Sequence, residues 1–206
     1  MAGFFITFEG IDFCGKTTQA KKLASYLREK GYDVVLIREP GGERISEKIR
    51  KILLSEKNAE ITSMTELLLY IASRAQLTQR VILPSLKEKK IVICDRYSDS
   101  SLAYQGYGRG LNISWVEFLN KISTSGLAPH LTILVDVPVN MGLKRKSKKS
   151  KDRIETEKKN FYQKVRKGYL ESAKKRKKRY VVIDGRKGIE QTWQKVKSAI
   201  DLFLRI

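Results

Sequence analysis

Short apolar runs alternate along this chain with longer stretches in which apolar residues recur every three or four positions. The runs lie at residues 4–9, 33–38, 91–95, 131–136 and 180–184, each bounded by charged or turn-forming residues, and they predict β-strands. Between them, Leu23 and Leu27, then Ile45, Ile49 and Ile52, then Leu67, Leu68, Ile71, Ala75 and Leu83 mark helices by their spacing. Further helical patterns cover 115–123, 139–147, 155–177 and 189–204. In the last, Ile189, Trp193, Val196, Ile200 and Leu204 share one face. Strands alternating with helices predict an α/β fold, a parallel sheet with helices on both faces. Such a sheet binds ligands beyond the carboxyl ends of its strands, so chemistry is expected just past the end of each run.

The first run, Phe4-Phe5-Ile6-Thr7-Phe8, leads into Gly10-Ile11-Asp12-Phe13-Cys14-Gly15-Lys16-Thr17, which fits the phosphate-loop pattern G-x-x-x-x-G-K-[ST]. A helical stretch begins directly after it at Thr18-Gln19-Ala20. In that context backbone N–H groups and a helix N-terminus converge on anionic oxygens, Lys16 reaches β- and γ-phosphates, and the Thr17 hydroxyl holds Mg²⁺. Phe13 and Cys14 are bulky for such a loop. Either Phe13 takes a backbone angle that it tolerates or the loop is strained. Cys14, near Lys16 at a helix N-terminus, is expected to have a lowered thiol pKa.

The second run ends in Arg38-Glu39-Pro40-Gly41-Gly42, a turn that can present Arg38 to a second anion. The third ends in Asp95-Arg96-Tyr97. A carboxylate at that position serves Mg²⁺, directly or through water. Strand alternation turns Arg96 away from Asp95, and its planar fork suits a phosphate. The polar stretch beyond it, Ser98 to Gly106, contains Ser101, Tyr104 and Gln105.

Composition narrows the classes. The 206 residues are 41% hydrophobic and 31% charged, which describes one soluble globular domain spanning 1–206. There is no run of about 18 apolar residues to cross a membrane and no secretory leader. Two cysteines are too few for a disulfide scaffold, so a reducing, cytoplasmic home is expected. The formal charge of +20 raises nucleic acid or an acidic membrane as partners. Much of the excess sits in two clusters, Lys144 to Lys151 and Lys174 to Arg179. Neither interleaves aromatics as a base-stacking platform would, which makes nucleic acid an unlikely partner. The second cluster reads as a solvated basic face, the first as a grip for phosphate.

Five blocks, in this order, resemble the thymidylate kinases, a branch of the P-loop nucleoside monophosphate kinases. They are Phe8-Glu9-Gly10-Ile11-Asp12 through Gly15-Lys16-Thr17-Thr18-Gln19; Arg38 to Gly42; Glu66-Leu67-Leu68-Leu69-Tyr70-Ile71-Ala72-Ser73-Arg74; Asp95 to Gly106; and Asp152-Arg153-Ile154-Glu155 with the stretch from Phe161 to Leu170. The resemblance implies a five-stranded parallel sheet of order 2-3-1-4-5 in a three-layer P-loop fold. It also implies a mobile lid over residues 144–156 and a homodimer. The implied reaction transfers the γ-phosphoryl of MgATP to dTMP, giving ADP and dTDP for dTTP synthesis.

By the same resemblance, the loop from Gly10 to Thr18 together with Arg145 holds ATP, and Thr17 and Asp95 hold Mg²⁺. Asp12 lies between donor and acceptor. Arg96 is implied on the dTMP phosphate, Arg74 on the thymine, Tyr70 stacked on the base, Ser101 near it and Tyr104 under the deoxyribose, with Arg38 and Gln105 completing the acceptor site. The implied catalytic set is Asp12, Lys16, Asp95, Arg96 and Arg153. Because Phe13 and Cys14 give the loop no basic residue, the lid arginines 145 and 153 are expected to supply that charge. The family commonly has small residues at positions 13 and 14 and a threonine at position 43, where this chain has Phe13, Cys14 and Glu43. Three rivals remain open: another acceptor nucleotide, an ATPase stimulated by nucleic acid, and a catalytically impaired nucleotide-binding protein.

Overall fold

The computed structural model describes residues 3–145 and 152–206. The expected strands form at β1 (Phe4–Glu9), β2 (Val34–Arg38), β3 (Ile91–Asp95), β4 (Leu131–Asp136) and β5 (Tyr180–Asp184). All pair in parallel in the order β2-β3-β1-β4-β5, as the resemblance implied. The register sets Arg38 level with Asp95, and Asp95 level with Phe8. Three strand ends therefore reach the same edge together, which creates one site rather than three.

Around the sheet lie α1 (Lys16–Glu29), α2 (Arg44–Leu54), α3 (Ser63–Leu77), α4 (Leu83–Lys87), α5 (Ser98–Ser101), α6 (Ile113–Ser123), α7 (Val139–Lys144), α8 (Lys159–Lys175) and α9 (Ile189–Leu204). Alternate residues of β1 serve opposite faces. Ile6 and Phe8 join Leu23, Leu27, Tyr162, Val165, Val196 and Ile200 in the larger core, while Phe5 packs with Val92, Leu77, Ile82 and Tyr97 in the other. Both faces are thus covered, which is why the strands carry so few polar positions.

The structure differs from the sequence pattern in instructive places. The helical periodicity through Leu83 crosses a π-helical stretch, Thr78–Ile82, just before Pro84, which has no N–H to continue the regular ladder. A second π-helical stretch, Leu102–Gly108, carries Tyr104 and Gln105. The helix expected from residue 155 starts at Lys159, because the Asp152 carboxylate accepts from the backbone N–H groups of Ile154 and Glu155 and turns the chain there. The expected lid lies partly outside the described residues, at 146–151. Glu43 has a local purpose: its carboxylate caps α2, accepting from the N–H groups of Ile45 and Ser46.

The second basic cluster divides by residue type. Arg179 pairs bidentately with buried Asp99 at 2.8 and 2.9 Å, and Arg176 meets Glu117 at 2.7 Å, so both arginines tie the start of β5 to its neighbours. Lys175, Lys177 and Lys178 are exposed, as a solvated face requires.

Candidate active site

The phosphate loop turns because two glycines permit it. Gly10 has φ +143°, and a Cβ there would lie 2.6 Å from the Val135 carbonyl oxygen; Gly15 has φ +94°. After Gly15, α1 begins with no side-chain cap among the described residues, leaving its first N–H groups for an incoming anion. Phe13 takes φ +63°, a left-handed conformation that holds about 1–2 kcal/mol of strain for a residue with a Cβ. The loop is strained at this point, and the ring forms part of the cavity wall.

Cys14 corrects an expectation. Its side chain is buried against the core rather than presented to solvent, and burial pushes the thiol pKa up despite the nearby Lys16 ammonium. A lowered, reactive thiol is not what this environment produces.

A cavity of about 500 Å³ opens at the common edge of β1, β2 and β3. Of the sequence-predicted residues, Asp12, Phe13, Gly15, Lys16, Thr17 and Asp95 line its phosphate-loop side. Arg38, Tyr70, Arg96, Tyr104, Gln105 and Arg145 complete the wall. The Lys16 ammonium is buried, and among the described residues its polar contacts are long, 3.4 Å to the Ile11 carbonyl and 3.9 Å to Asp12. Its donors are poorly used. The Thr17 hydroxyl donates to Asp95 Oδ2, and Asp95 Oδ1 is buried with no hydrogen-bond partner among the described residues. A hydroxyl beside a carboxylate with a spare oxygen fits Mg²⁺, which takes one or two protein ligands and completes its shell with phosphate oxygens and water. Among the described residues no three His, Cys, Asp or Glu side chains cluster as an all-protein metal cage would need.

Arg96 joins the two sides of the cavity. Just past β3 the chain takes φ +73° at this residue. This turn, rather than strand alternation, separates its side chain from Asp95. Its Nη1 donates to the Gly10 carbonyl and the Tyr169 hydroxyl, both at 2.9 Å, and to Ser100 Oγ at 3.2 Å. Its Nη2 reaches Asp12 Oδ1 at 2.5 Å and the Tyr104 hydroxyl at 2.9 Å, and the guanidinium lies 4.8 Å from the centre of the Tyr104 ring. Tyr104 in turn donates to Asp12 Oδ2 at 2.9 Å. Burial raises the Asp12 pKa, but Arg96, Lys16 and these hydrogen bonds outweigh it and hold the carboxyl below its ordinary range.

Four predicted residues stand behind this wall. Gly10 and Ile11 support the loop. Arg74 and Ser101 are buried, and the Arg74 guanidinium is saturated. It bonds Glu39 Oε2 through Nε at 2.8 Å and through Nη2 at 2.7 Å, Ser101 Oγ at 2.9 Å, Asn120 Oδ1 at 2.7 Å and the Tyr97 carbonyl at 3.2 Å. In this conformation Arg74 braces the wall rather than reaching the cavity: it is buried behind the residues that line it. Thr18 is exposed on α1.

Arg153 is likewise not at the phosphate loop. It is buried, with Nε donating to the Leu53 carbonyl at 3.0 Å and Nη2 in an ion pair 2.7 Å from Glu66 Oε2, without hydrogen-bond geometry to any described residue. Of the two lid arginines, the structure brings only Arg145 to the cavity, where it donates to the Gly185 carbonyl at 3.2 Å.

Sequence reasoning missed other members. Arg50 from α2 lines the cavity and donates to the Pro40 carbonyl at 2.8 Å; its place on a helix face, spaced from the Arg38 turn, was the available signal. Glu9 lies beneath Arg96 with no exposure, accepting from Tyr97 N–H at 2.8 Å, Ser100 Oγ at 2.6 Å and Tyr169 OH at 2.9 Å. Burial, and secondarily the Asp99 charge, push its pKa up to about 7. A carboxyl whose folded pKa exceeds its unfolded value contributes stability below about pH 4.5, and that contribution fades as pH rises toward 7. The contribution amounts to roughly 3 kcal/mol, at about 1.4 kcal/mol per pH unit. Denaturant unfolding at pH 5 and pH 7.5 should therefore show Glu9→Gln losing less stability over this interval than the unaltered chain. Parallel losses would mean that Glu9 does not titrate there.

A phosphate loop that opens onto a cavity also lined by Arg38, Tyr70, Arg96 and Tyr104 fits a P-loop kinase, in which a second polar group must lie beside the transferred phosphoryl. The model of the thymidylate kinase family matches residues 8–196. A thymidylate kinase of Geotalea daltonii is 48% identical over 206 residues, covering 96% of each chain. One of Kosmotoga olearia is 49% identical over 202 residues, covering 98% of this chain and 97% of its own. The crystal structure of thymidylate kinase from Ehrlichia chaffeensis superposes with a TM-score of 0.81 at 39% identity, over 98% of this chain and 99% of that one. The chain belongs to the thymidylate kinase family.

Proposed function

We propose that two nucleotides meet in this cavity, ATP on the phosphate loop and dTMP against Tyr70 and Tyr104, within a single kinase domain spanning residues 1–206. The activity of the family is ATP-dependent phosphorylation of dTMP to dTDP on the route to dTTP, and this chain is such a phosphotransferase. The observation that carries the residue-level reading is the single guanidinium of Arg96, bonded at once to the donor loop and to the acceptor wall.

In this reading Lys16 and the loop N–H groups take the β- and γ-phosphates, and Arg145 adds charge from the lid. Arg96 receives the acceptor phosphate, and Arg38, held by Glu47 at 2.8 Å on the same cavity wall, adds charge to it. Asp12 holds Arg96 and Tyr104 in line between the two nucleotides. Thr17 and Asp95 hold Mg²⁺, which when bound neutralises charge on the β- and γ-phosphates. Tyr70 stacks on the thymine, and Ser101, Gln105 and Arg74 shape its surroundings. The Tyr104 ring fills the space beside the sugar, so an added 2′-hydroxyl meets a clash or an unpaired polar contact. The chemistry asked of the protein is positioning and charge neutralisation.

The test is ADP release in a coupled assay, with and without dTMP, and then with dUMP, dGMP and dCMP. Strict dependence on dTMP is expected. Equal rates without an acceptor, or stimulation by DNA, would overturn the reading in favour of an ATPase.

A cytoplasmic homodimer completes the proposal. No described helix is long and apolar enough to cross a membrane. On α6, Trp115, Phe118 and Ile122 are 59%, 63% and 60% exposed and share one side of the helix, and Leu68 on neighbouring α3 is 48% exposed. A cluster of large apolar side chains so open to water supports a seam between two copies. Phe118→Glu is expected to shift the chain from dimer to monomer in sedimentation. A dimer that persists at the same concentration would place the seam elsewhere.

A further inference from the structure

Glu66 stands outside the cavity wall, yet two of the segments that build that wall meet on it. It is 1% exposed on α3, one turn before Tyr70. Its Oε1 accepts from Gln105 Nε2 at 2.9 Å and Arg109 Nε at 3.1 Å; its Oε2 accepts from Arg109 Nη2 at 3.0 Å and pairs with Arg153 Nη2 at 2.7 Å. Arg109 also holds Glu157. Gln105 and Tyr104 come from the π-helical stretch, and Asp152, Ile154 and Glu155 come from the segment that begins at residue 152. The network balances two carboxylates against two guanidinium groups, a condition for keeping such charges under the surface. Burial opposes the charge on Glu66, but the hydrogen bonds and charge of Arg109, with Gln105 and Arg153 adding to them, keep its carboxyl below the ordinary pKa.

We propose that Glu66 is a positioning residue for the kinase reaction, fixing the acceptor wall through Gln105 and the segment that begins at residue 152 through Arg153. Arg153 then acts through this tether and not on phosphate. Its backbone N–H on the Leu54 carbonyl and its Nε on the Leu53 carbonyl, each at 3.0 Å, pin it to the end of α2, whose Leu54 also lines the cavity. A lysine at position 153 could meet Glu66 or Leu53 but has no rigid fork to meet both. Removing the Glu66 charge strands Arg153 without a carboxylate, while Arg109 keeps Glu157.

The inference rests on the kinase reading, and the two fail differently: without dTMP-dependent ADP release by the unaltered chain the reading itself falls. Steady-state kinetics and thermal melts of Glu66→Gln, Glu66→Asp, Arg153→Lys and the Glu66→Gln, Arg153→Lys double variant test it. Glu66→Gln should raise KM for both nucleotides about tenfold, since small displacements of a positioned site weigh heavily, while kcat falls by a smaller factor. Glu66→Asp, which retains the charge, should recover part of that KM. Arg153→Lys should raise KM alone but add nothing in the Glu66→Gln background. If Glu66→Gln does not fold, Glu66→Asp and Arg153→Lys carry the same comparison of KM with kcat. A lower melting temperature with unchanged KM in the folded variants overturns the proposal. So does a hundredfold loss of kcat in Arg153→Lys that is indifferent to Glu66.

Discussion

Arg96→Lys is expected to lower kcat/KM for dTMP by about 10³-fold with the charge retained, because a lysine cannot reproduce a fork that spans two ligands. The guanidinium meets the Gly10 carbonyl, Asp12, Ser100, Tyr104 and Tyr169 within 3.2 Å, so its plane is fixed before any phosphate arrives. An ammonium at that position satisfies at most a few of these partners and leaves Asp12 and Tyr104 free to turn. The loss should fall on kcat as well as KM, since the proposed reading puts this group where charge moves from donor to acceptor. Initial rates at varied dTMP and saturating ATP measure it. A rate within tenfold of the original would mean that net charge alone suffices and that the fork is incidental.

Lys16→Met carries the second large effect, a fall in kcat of about 10²–10³-fold from loss of a donor aimed at the transferred phosphoryl. In the free protein the ammonium is buried but its contacts among the described residues are long, 3.4 and 3.9 Å, so little native stability depends on it. Asp12 keeps Arg96 and Tyr104, and the acceptor wall is untouched. The variant should therefore melt near the original temperature and bind dTMP with the original affinity in calorimetry, while transfer nearly stops. A matching loss of dTMP affinity would mean that Lys16 serves the acceptor as well.

The sheet and the donor loop were legible because their signals are local. Each strand is an unbroken apolar run, and glycines at positions 10 and 15 mark backbone that only glycine enters readily. What escaped was set by contacts distant in sequence. The expectation for Cys14 followed a sound local rule about helix N-termini, but packing against β4 and the core buries the thiol and reverses the shift. Arg74 and Arg153 are arginines in the right blocks, yet they are ion-paired with Glu39 and Glu66, partners 35 and 87 residues away. No pattern along the chain announces that a cation is already paired. The π-helical stretch under Tyr104 and Gln105 escaped for a related reason, since helical spacing alone does not distinguish one winding from another.

The bridging place of Arg96 bears on how the two nucleotides sense each other. In the proposed reading Arg96 is a single cation shared by two anion sites, so any phosphate that draws it from Asp12 alters the field at the other site. Reciprocity then requires that whatever factor ATP imposes on the affinity for dTMP, dTMP imposes on the affinity for ATP. The two sites are one thermodynamic unit before they become one chemical one, and a molecule that fills only the acceptor half is read out in the grip on ATP.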